Sequence, residues 1–356
     1  MTTSTDLDPR RRLPEPSTLR LGPWRVLASW RGALVTLVLV CCAVLIVFAT
    51  LGTGPLPVNP SEVLDTVLRR TDEFDFVVLD IGLPRACVGL LVGAGLGAAG
   101  SLLQALTRNP LGSPDVIGFD SGAAAGALVA MLTFGISDRT ETAIFAIAGG
   151  GVAALVVFLL SSGARGTGYR IILIGIGLGA LLDSVSAYLL TRSGVRESME
   201  ATRWLVGSLN SSDWPDVMVA GLGLLILLPA AIALGRQLRL VLLGPEVASA
   251  LGVRLGFVTG ATLAVSVGLS AVAVLAAGPI SFVALAAPQL AARLVGQRRT
   301  PSVVASAAMG AVLLTASDLI GSRAFGDTDL PVGVITGGVG GVYLAWLLSR
   351  EWRRRM

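Results

Sequence analysis

The chain has 356 residues, of which 53% are hydrophobic, 44 are Gly and only 14% are charged, against ~25% charged in a soluble domain. Too few ionic groups remain to coat a globule of this size in water. All 27 basic residues are Arg and no His occurs, which excludes imidazole bases, His metal ligands, a Walker GxxxxGK[ST] loop and any Schiff-base Lys. Cys41, Cys42 and Cys87 lie in apolar runs with no CxxC pair. On a helix the first two would project about 100° apart, which suits packing and not a metal.

Residues 1–31 form a polar tail rich in Pro and Arg. The uncharged run over 32–52 that follows crosses ~30 Å of hydrocarbon at 1.5 Å per residue, and is too long for a secretory signal. Nine further apolar segments lie at about 83–106, 115–136, 141–162, 170–191, 215–235, 256–277, 280–297, 302–321 and 332–349. They predict an all-α integral membrane protein of about ten transmembrane helices, with both termini on one side. Segment 115–136 carries Asp115 and Asp120 near its start, and Pro288 interrupts 280–297. With the N-terminus inside, 19 Arg fall on the inner side and 8 on the outer, so the positive-inside rule makes both termini cytosolic. The expected organisation is a cytosolic tail over 1–31, a membrane domain over 32–350 and a basic cytosolic end over 351–356.

Two connections are longer than a tight turn needs. In the outer segment 53–82, the pattern around Val63, Leu64, Val67 and Leu68 predicts a short amphipathic surface helix with Ser61 as its N-cap. The inner segment 236–255 is too charged to span and too apolar for a plain linker. It predicts one or two short helices broken at Gly244-Pro245.

Gly89, Gly93, Gly97 and Gly100, with Gln104 near the same face, form a small-residue stripe on the second span. Such a stripe lets backbones approach where lipid offers no hydrophobic gain; Gln104 suits a bond across helices or a wet pathway. Asn109-Pro110-Leu111-Gly112-Ser113-Pro114 reads as a rigid turn. Asp183 and Asp318 lie within spans. Each costs ~2.5–3.5 kcal/mol at a helix centre, so each calls for a partner, in a structural bond or in ion coupling. No HExxH or GxSxG motif occurs. The Arg runs flank membrane spans and suit anionic headgroups, which argues against nucleic acid.

Several of these residues together resemble the FecCD-type permeases of ABC importers for iron siderophores and cobalamin. The resemblance rests on Leu83-Pro84-Arg85, Gly100-xxx-Gln104, Asn109-Pro110-Leu111, Trp204-Leu205-Val206-Gly207-Ser208-Leu209, the run Leu243 to Gly252, Gly278-Pro279-Ile280-Ser281-Phe282-Val283 and Leu330-Pro331-Val332-Gly333. These seven motifs stand in the family's order over roughly 35–350. The resemblance implies the type II importer architecture, a ten-span subunit paired with an identical or sister subunit. It also implies two cytosolic ATPases that hold the ATP and Mg, and an extracytoplasmic substrate-binding protein. The chain itself carries no cofactor or metal, and its location is the cytoplasmic membrane.

Residue by residue, the resemblance makes 236–255 the ATPase-coupling element. Leu243, Gly244, Pro245, Glu246, Ala248, Leu251 and Gly252 carry it, with an apolar face of Leu242, Val247, Ala248 and Leu251. Arg85 falls on a position that docks the binding protein, although Gly82 stands where the family often has a second Arg. A later docking Arg falls on Ser322, one residue before Arg323. Gly93, Gly97, Gly100, Gln104, Asn109, Pro110 and Leu111 belong to pathway or packing. Pro288-Gln289 replaces the Pro-His of many relatives, and 166–169 lies in the family's cytoplasmic gate region. The expected cargo is a ferric siderophore or similar iron chelate, with cobalamin or haem as the alternative. The rival of another class is a proton-coupled secondary transporter working through Asp183 and Asp318. An intramembrane enzyme is disfavoured by the missing His, Lys and reactive Cys.

Overall fold

The computed structural model describes residues 19–21, 24–26, 30–52, 59–68, 70, 74–161, 167–296, 302–324 and 330–353. Most of the tail 1–31, residues 162–166 of the gate region and the last three residues lie outside these. A short antiparallel ribbon pairs Leu19–Leu21 with Trp24–Val26; the rest is helical. In chain order the helices are α1 (Trp30–Leu51), α2 (Pro60–Val67), α3 (Leu83–Thr107), α4 (Phe119–Leu128), α5 (Arg139–Ser161), α6 (Thr167–Arg192) and α7 (Val195–Leu205). They continue with α8 (Trp214–Val241), α9 (Pro245–Ala250), α10 (Leu255–Ala277), α11 (Val283–Val295), α12 (Val303–Gly321) and α13 (Val332–Arg353). Phe76–Gly82 enters α3, and Val129–Thr133 leaves α4, with wider π-type turns.

All ten predicted spans are helical. Seven are long and apolar enough to cross a membrane, and three shorter apolar helices occupy the remaining positions. Two of the short ones are cut by local chemistry. The turn ending at Gly118 (φ 83°) delays α4 to Phe119, so Asp115 lies before the helix. Gly278 and Phe282 both take positive φ (75° and 69°) and delay α11 to Val283. The span at 215–235 is longer than its hydropathy suggests, because α8 runs on through Arg236 and Arg239 to Val241. These long side chains are tolerated at a span end, where the charge can reach water. Only the break at Gly244-Pro245 and the short helix after it match the expectation for 236–255.

The N-cap of α2 is Asn59, not Ser61. Pro60 fits the first helical position because it has no N–H to satisfy there. Glu62 Oε2 accepts from the Asn59 backbone N at 2.9 Å, and this bond holds its carboxyl below the ordinary carboxylate value. Val63 then packs fully buried against Leu51 and Val78. Helix α7 was not anticipated. Its sequence signal is Glu197, three residues after Gly194, whose carboxylate accepts from the Gly194 N at 3.2 Å.

The core is centred on α3, whose most apolar window is 78% buried, whereas the corresponding windows of α1 and α8 are 17% buried. Val88, Val92 and Leu96 of α3 meet Leu314 of α12, Ala276 of α10 and Ala284 of α11 in one cluster. Ala98, Ala99 and Leu102 meet Leu234, Leu238 and Leu269 in another. The glycine stripe makes this possible. A Cβ at Gly93, Gly97 or Gly100 would overlap the carbonyl of Gly310, Ser306 or Ala284 respectively. Close backbone approach of this kind replaces the hydrophobic drive that hydrocarbon solvent removes.

Candidate functional site

Three regions carry the chemistry. At the end of α3 that bears Arg85, Pro84 sits in the first turn of the helix, and Arg85 projects toward α12. Its Nε donates to Asp318 Oδ2 at 3.0 Å and its Nη2 to Asp318 Oδ1 at 2.8 Å. This is a two-point ion pair whose side chains are only 15% and 5% exposed. The partner that Asp318 required is therefore Arg85. Arg323, just beyond α12, is exposed. The same end holds a cluster the sequence did not reveal. Arg139, at the start of α5, donates to Asp216 Oδ2 at 2.9 Å, to the Ser211 carbonyl at 3.0 Å and to the Ala276 carbonyl at 2.6 Å. It thereby ties α5 to α8 and α10. The only available signal was a cation opening an apolar run.

At the opposite end of α3, Arg108 takes φ 52° and donates from Nη2 to the carbonyl of Val241 at 2.7 Å, at the last turn of α8. Asn109 Oδ1 accepts from the Leu111 backbone N at 2.9 Å, which makes Asn109-Pro110-Leu111 the predicted turn. Gln289 Nε2 donates to the Pro110 carbonyl at 2.6 Å, and Gln104 Nε2 to the Leu285 carbonyl at 2.9 Å. Both glutamines thus join the α3 end to α11. Gln104 is buried and works across helices; so are Gly93, Gly97 and Gly100, which the structure places in packing seams. Gly168, in the gate region, faces the Thr107 backbone.

Beside this end stands α9. Gly244 (φ 116°) and Gly252 (φ 84°) bracket it in conformations that a side chain disfavours, with no steric neighbour within 4 Å of either. Leu243, Val247 and Leu251 are 63%, 47% and 58% exposed and recur every four residues, so they form one apolar ridge. The ridge differs from the one expected in two positions. Ala248 is fully buried and holds α9 to the body, through the Val253 N that donates to its carbonyl at 3.0 Å. Leu242 is half-buried, and its place is taken by Leu243. Pro245 and Glu246 are exposed beside the ridge.

The third region is α6, whose most apolar window is only 22% buried. Asp183 is exposed on it and makes no hydrogen bond or ion pair among the described residues; the partner expected for it is not supplied by this chain. Elsewhere, a cleft between α11, α12 and α13 lined by Phe282, Leu290, Ser317, Thr336 and Tyr343 holds about 60 Å³. That is far below the ~300 Å³ of a small-molecule site. Among the described residues no group of His, Cys, Asp or Glu could hold a metal ion.

The family model of the FecCD transport family matches residues 40–350. The chain is 38% identical over 331 residues to the ferric enterobactin transport system permease protein FepG of Escherichia coli (strain K12), covering 93% of this chain and 100% of the relative. It is 31% identical over 325 residues to the Fe(3+)-citrate import system permease protein YfmE of Bacillus subtilis (strain 168), covering 91% and 97%. Against the Fe(3+) dicitrate transport system permease protein FecD of Escherichia coli (strain K12) the identity is 33% over 316 residues, covering 89% and 97%. A solved structure of a metal-chelate type ABC transporter in an inward-facing conformation superposes with a TM-score of 0.76 at 26% identity, covering 89% of this chain and 99% of that one.

Proposed function

The chain belongs to the FecCD transport family, and from that premise we propose that it is the permease subunit through which an ABC importer carries a ferric siderophore or similar iron chelate across the cytoplasmic membrane. Its multi-pass helical build is that of a transport component. The relatives named above are permeases for iron chelates, which favours iron over cobalamin or haem as cargo. A chain without Lys has no Walker lysine, so the energy of ATP reaches it from separate ATPase subunits. A second permease subunit and an external binding protein complete the assembly in this reading.

The observation that carries the mechanism is the apolar ridge of Leu243, Val247 and Leu251 between two positive-φ glycines. An apolar ridge left in water is a poor solution for a lone chain but a good one for insertion into a groove of a partner. We assign this ridge, with Gly244, Pro245, Glu246 and Gly252 shaping it and Ala248 anchoring it, as the contact with the ATPase. Movement there reaches the transmembrane body through Arg108, which grips the last turn of α8. Arg85 and Arg323, at the other end of the bundle, are assigned to docking of the binding protein. Arg85 acts there with its charge already shared with Asp318, so Arg323 is the more accessible of the two. The proton-coupled rival loses support because Asp318 is committed to an ion pair, leaving Asp183 as a single unconnected acid.

Leu251→Asp places a charge on the ridge without touching the buried side of α9. In vesicles holding the whole importer, chelate uptake should fall on the order of tenfold or more, as for a central interface anchor, while the variant remains membrane-inserted. Uptake at the normal rate would refute the coupling assignment. Uptake driven by a proton gradient with no ATP would refute the importer reading itself.

A further inference from the structure

The exposed faces of the membrane helices are not alike. On α1 the exposed side chains along the central turns include Leu34, Leu37 and Leu45, on α5 Val152, Leu155 and Leu159, and on α8 Leu222, Leu225 and Ile226. These are hydrocarbon surfaces that lipid covers at no cost. On α6 the exposed face carries Ile176, Leu181 and Tyr188 but also Ala180, Asp183, Ser184, Ala187 and Thr191. The hydroxyls of Ser184 and Thr191 satisfy themselves on the carbonyls of Ala180 and Ala187 at 2.8 and 2.7 Å, so they fit lipid or water equally. Asp183 does not. It stands nine residues before Arg192, the last residue of α6. At 1.5 Å per residue that is about 13 Å from the helix end and within about 5 Å of its midpoint. A carboxylate at that depth, unpaired within the chain, faces a cavity that holds water.

We propose that the α6 face around Asp183 is the wall of the water-filled pathway, and that the Asp183 carboxylate filters cargo by charge, passing neutral or cationic ferric chelates and repelling multiply anionic ones. The wet wall follows from the geometry alone; the cargo filter rests on the importer reading above. In this account the pathway runs outside the body of the chain, which agrees with the tight packing of α3 against α11 and α12.

The test starts from the full chain carrying Cys41→Ala, Cys42→Ala and Cys87→Ala, in membrane vesicles from cells that express the whole importer. Ala187→Cys then puts a thiol about 6 Å from Asp183, one helical turn away, and Leu225→Cys on α8 serves as the lipid-facing control. Water-soluble thiosulfonates of opposite charge should both label position 187 and spare position 225. The cationic reagent should react faster, with a rate ratio that drops on the order of tenfold when Asp183→Asn is added. Failure of both reagents at position 187 would show a dry face and overturn the proposal. So would a ratio indifferent to Asp183→Asn.

The second arm measures uptake of a neutral ferric trihydroxamate against an anionic ferric citrate. Asp183→Asn should raise the anion's share several-fold, and an unchanged ratio would overturn the filter. Should neither chelate be taken up by the unmodified chain, the importer reading fails, while the labelling ratio still decides whether the wall is wet and negative.

Discussion

Replacing Arg85 by Met removes one half of the ion pair that joins α3 to α12. Both side chains are largely withdrawn from solvent, at 15% and 5% exposure, and Arg85 reaches both carboxylate oxygens of Asp318. The single variant would strand the Asp318 carboxylate in the packed interior, at a cost of about 3–5 kcal/mol. Asp318→Leu would strand the guanidinium at a similar cost. The double variant Arg85→Met with Asp318→Leu removes both charges together and should return to within about 1 kcal/mol of the parent, because buried pairs contribute little beyond an apolar substitute. The six Trp residues give the assay: denaturant unfolding of the purified chain in detergent micelles, followed by intrinsic fluorescence, with the four proteins forming a thermodynamic cycle. A coupling of at least about 3 kcal/mol is expected on these figures. Additive losses, leaving the double variant as unstable as the sum of the singles, would refute the pairing. A stable Arg85→Met would leave docking as that residue's sole role.

Arg139→Gln deletes the charged contact with Asp216 and weakens the grip on the Ser211 and Ala276 carbonyls, so it should cost about 2 kcal/mol in the same unfolding assay. Gly100→Val places side-chain atoms on the Ala284 carbonyl and should cost about 3 kcal/mol. Gel filtration of detergent extracts should show loss of the monodisperse chain, and full recovery would contradict the close approach of α3 and α11. Glu62 supplies a pH-dependent term. Its folded-state pKa lies below the ordinary 4.5 through the Asn59 backbone bond, so its contribution is fully present above that value and fades as pH falls through the folded pKa. Hydrogen exchange of the α2 amides should therefore accelerate on acidification in the parent and be fast at both pH values in Glu62→Gln.

The helices were legible in the sequence because hydrocarbon imposes a strong rule: backbone polar groups must pair internally over about 20 apolar residues. The break at Gly244-Pro245 and the turn at Asn109-Pro110 were legible for a local reason, the fixed φ and missing N–H of Pro and the freedom of Gly. Local chemistry also misled where two residues compete, as Asn59 and Ser61 do for the cap of α2. Short amphipathic α7 escaped because its charges resemble those of a surface loop.

What the sequence by itself determined is the class of molecule: a membrane-embedded chain with no Walker lysine, spanning helices at the predicted places and a surface element after Gly244. What only the tertiary structure decided is which face of each helix points inward. In water that choice is written in the alternation of polar and apolar residues, but lipid is as apolar as a protein core, so a buried face and a lipid-covered face read alike. Arg85 and Asp318 stand 233 positions apart and meet only when α3 and α12 pack. Asp183, the same residue type within an equally apolar run, is left unpaired on an exposed face.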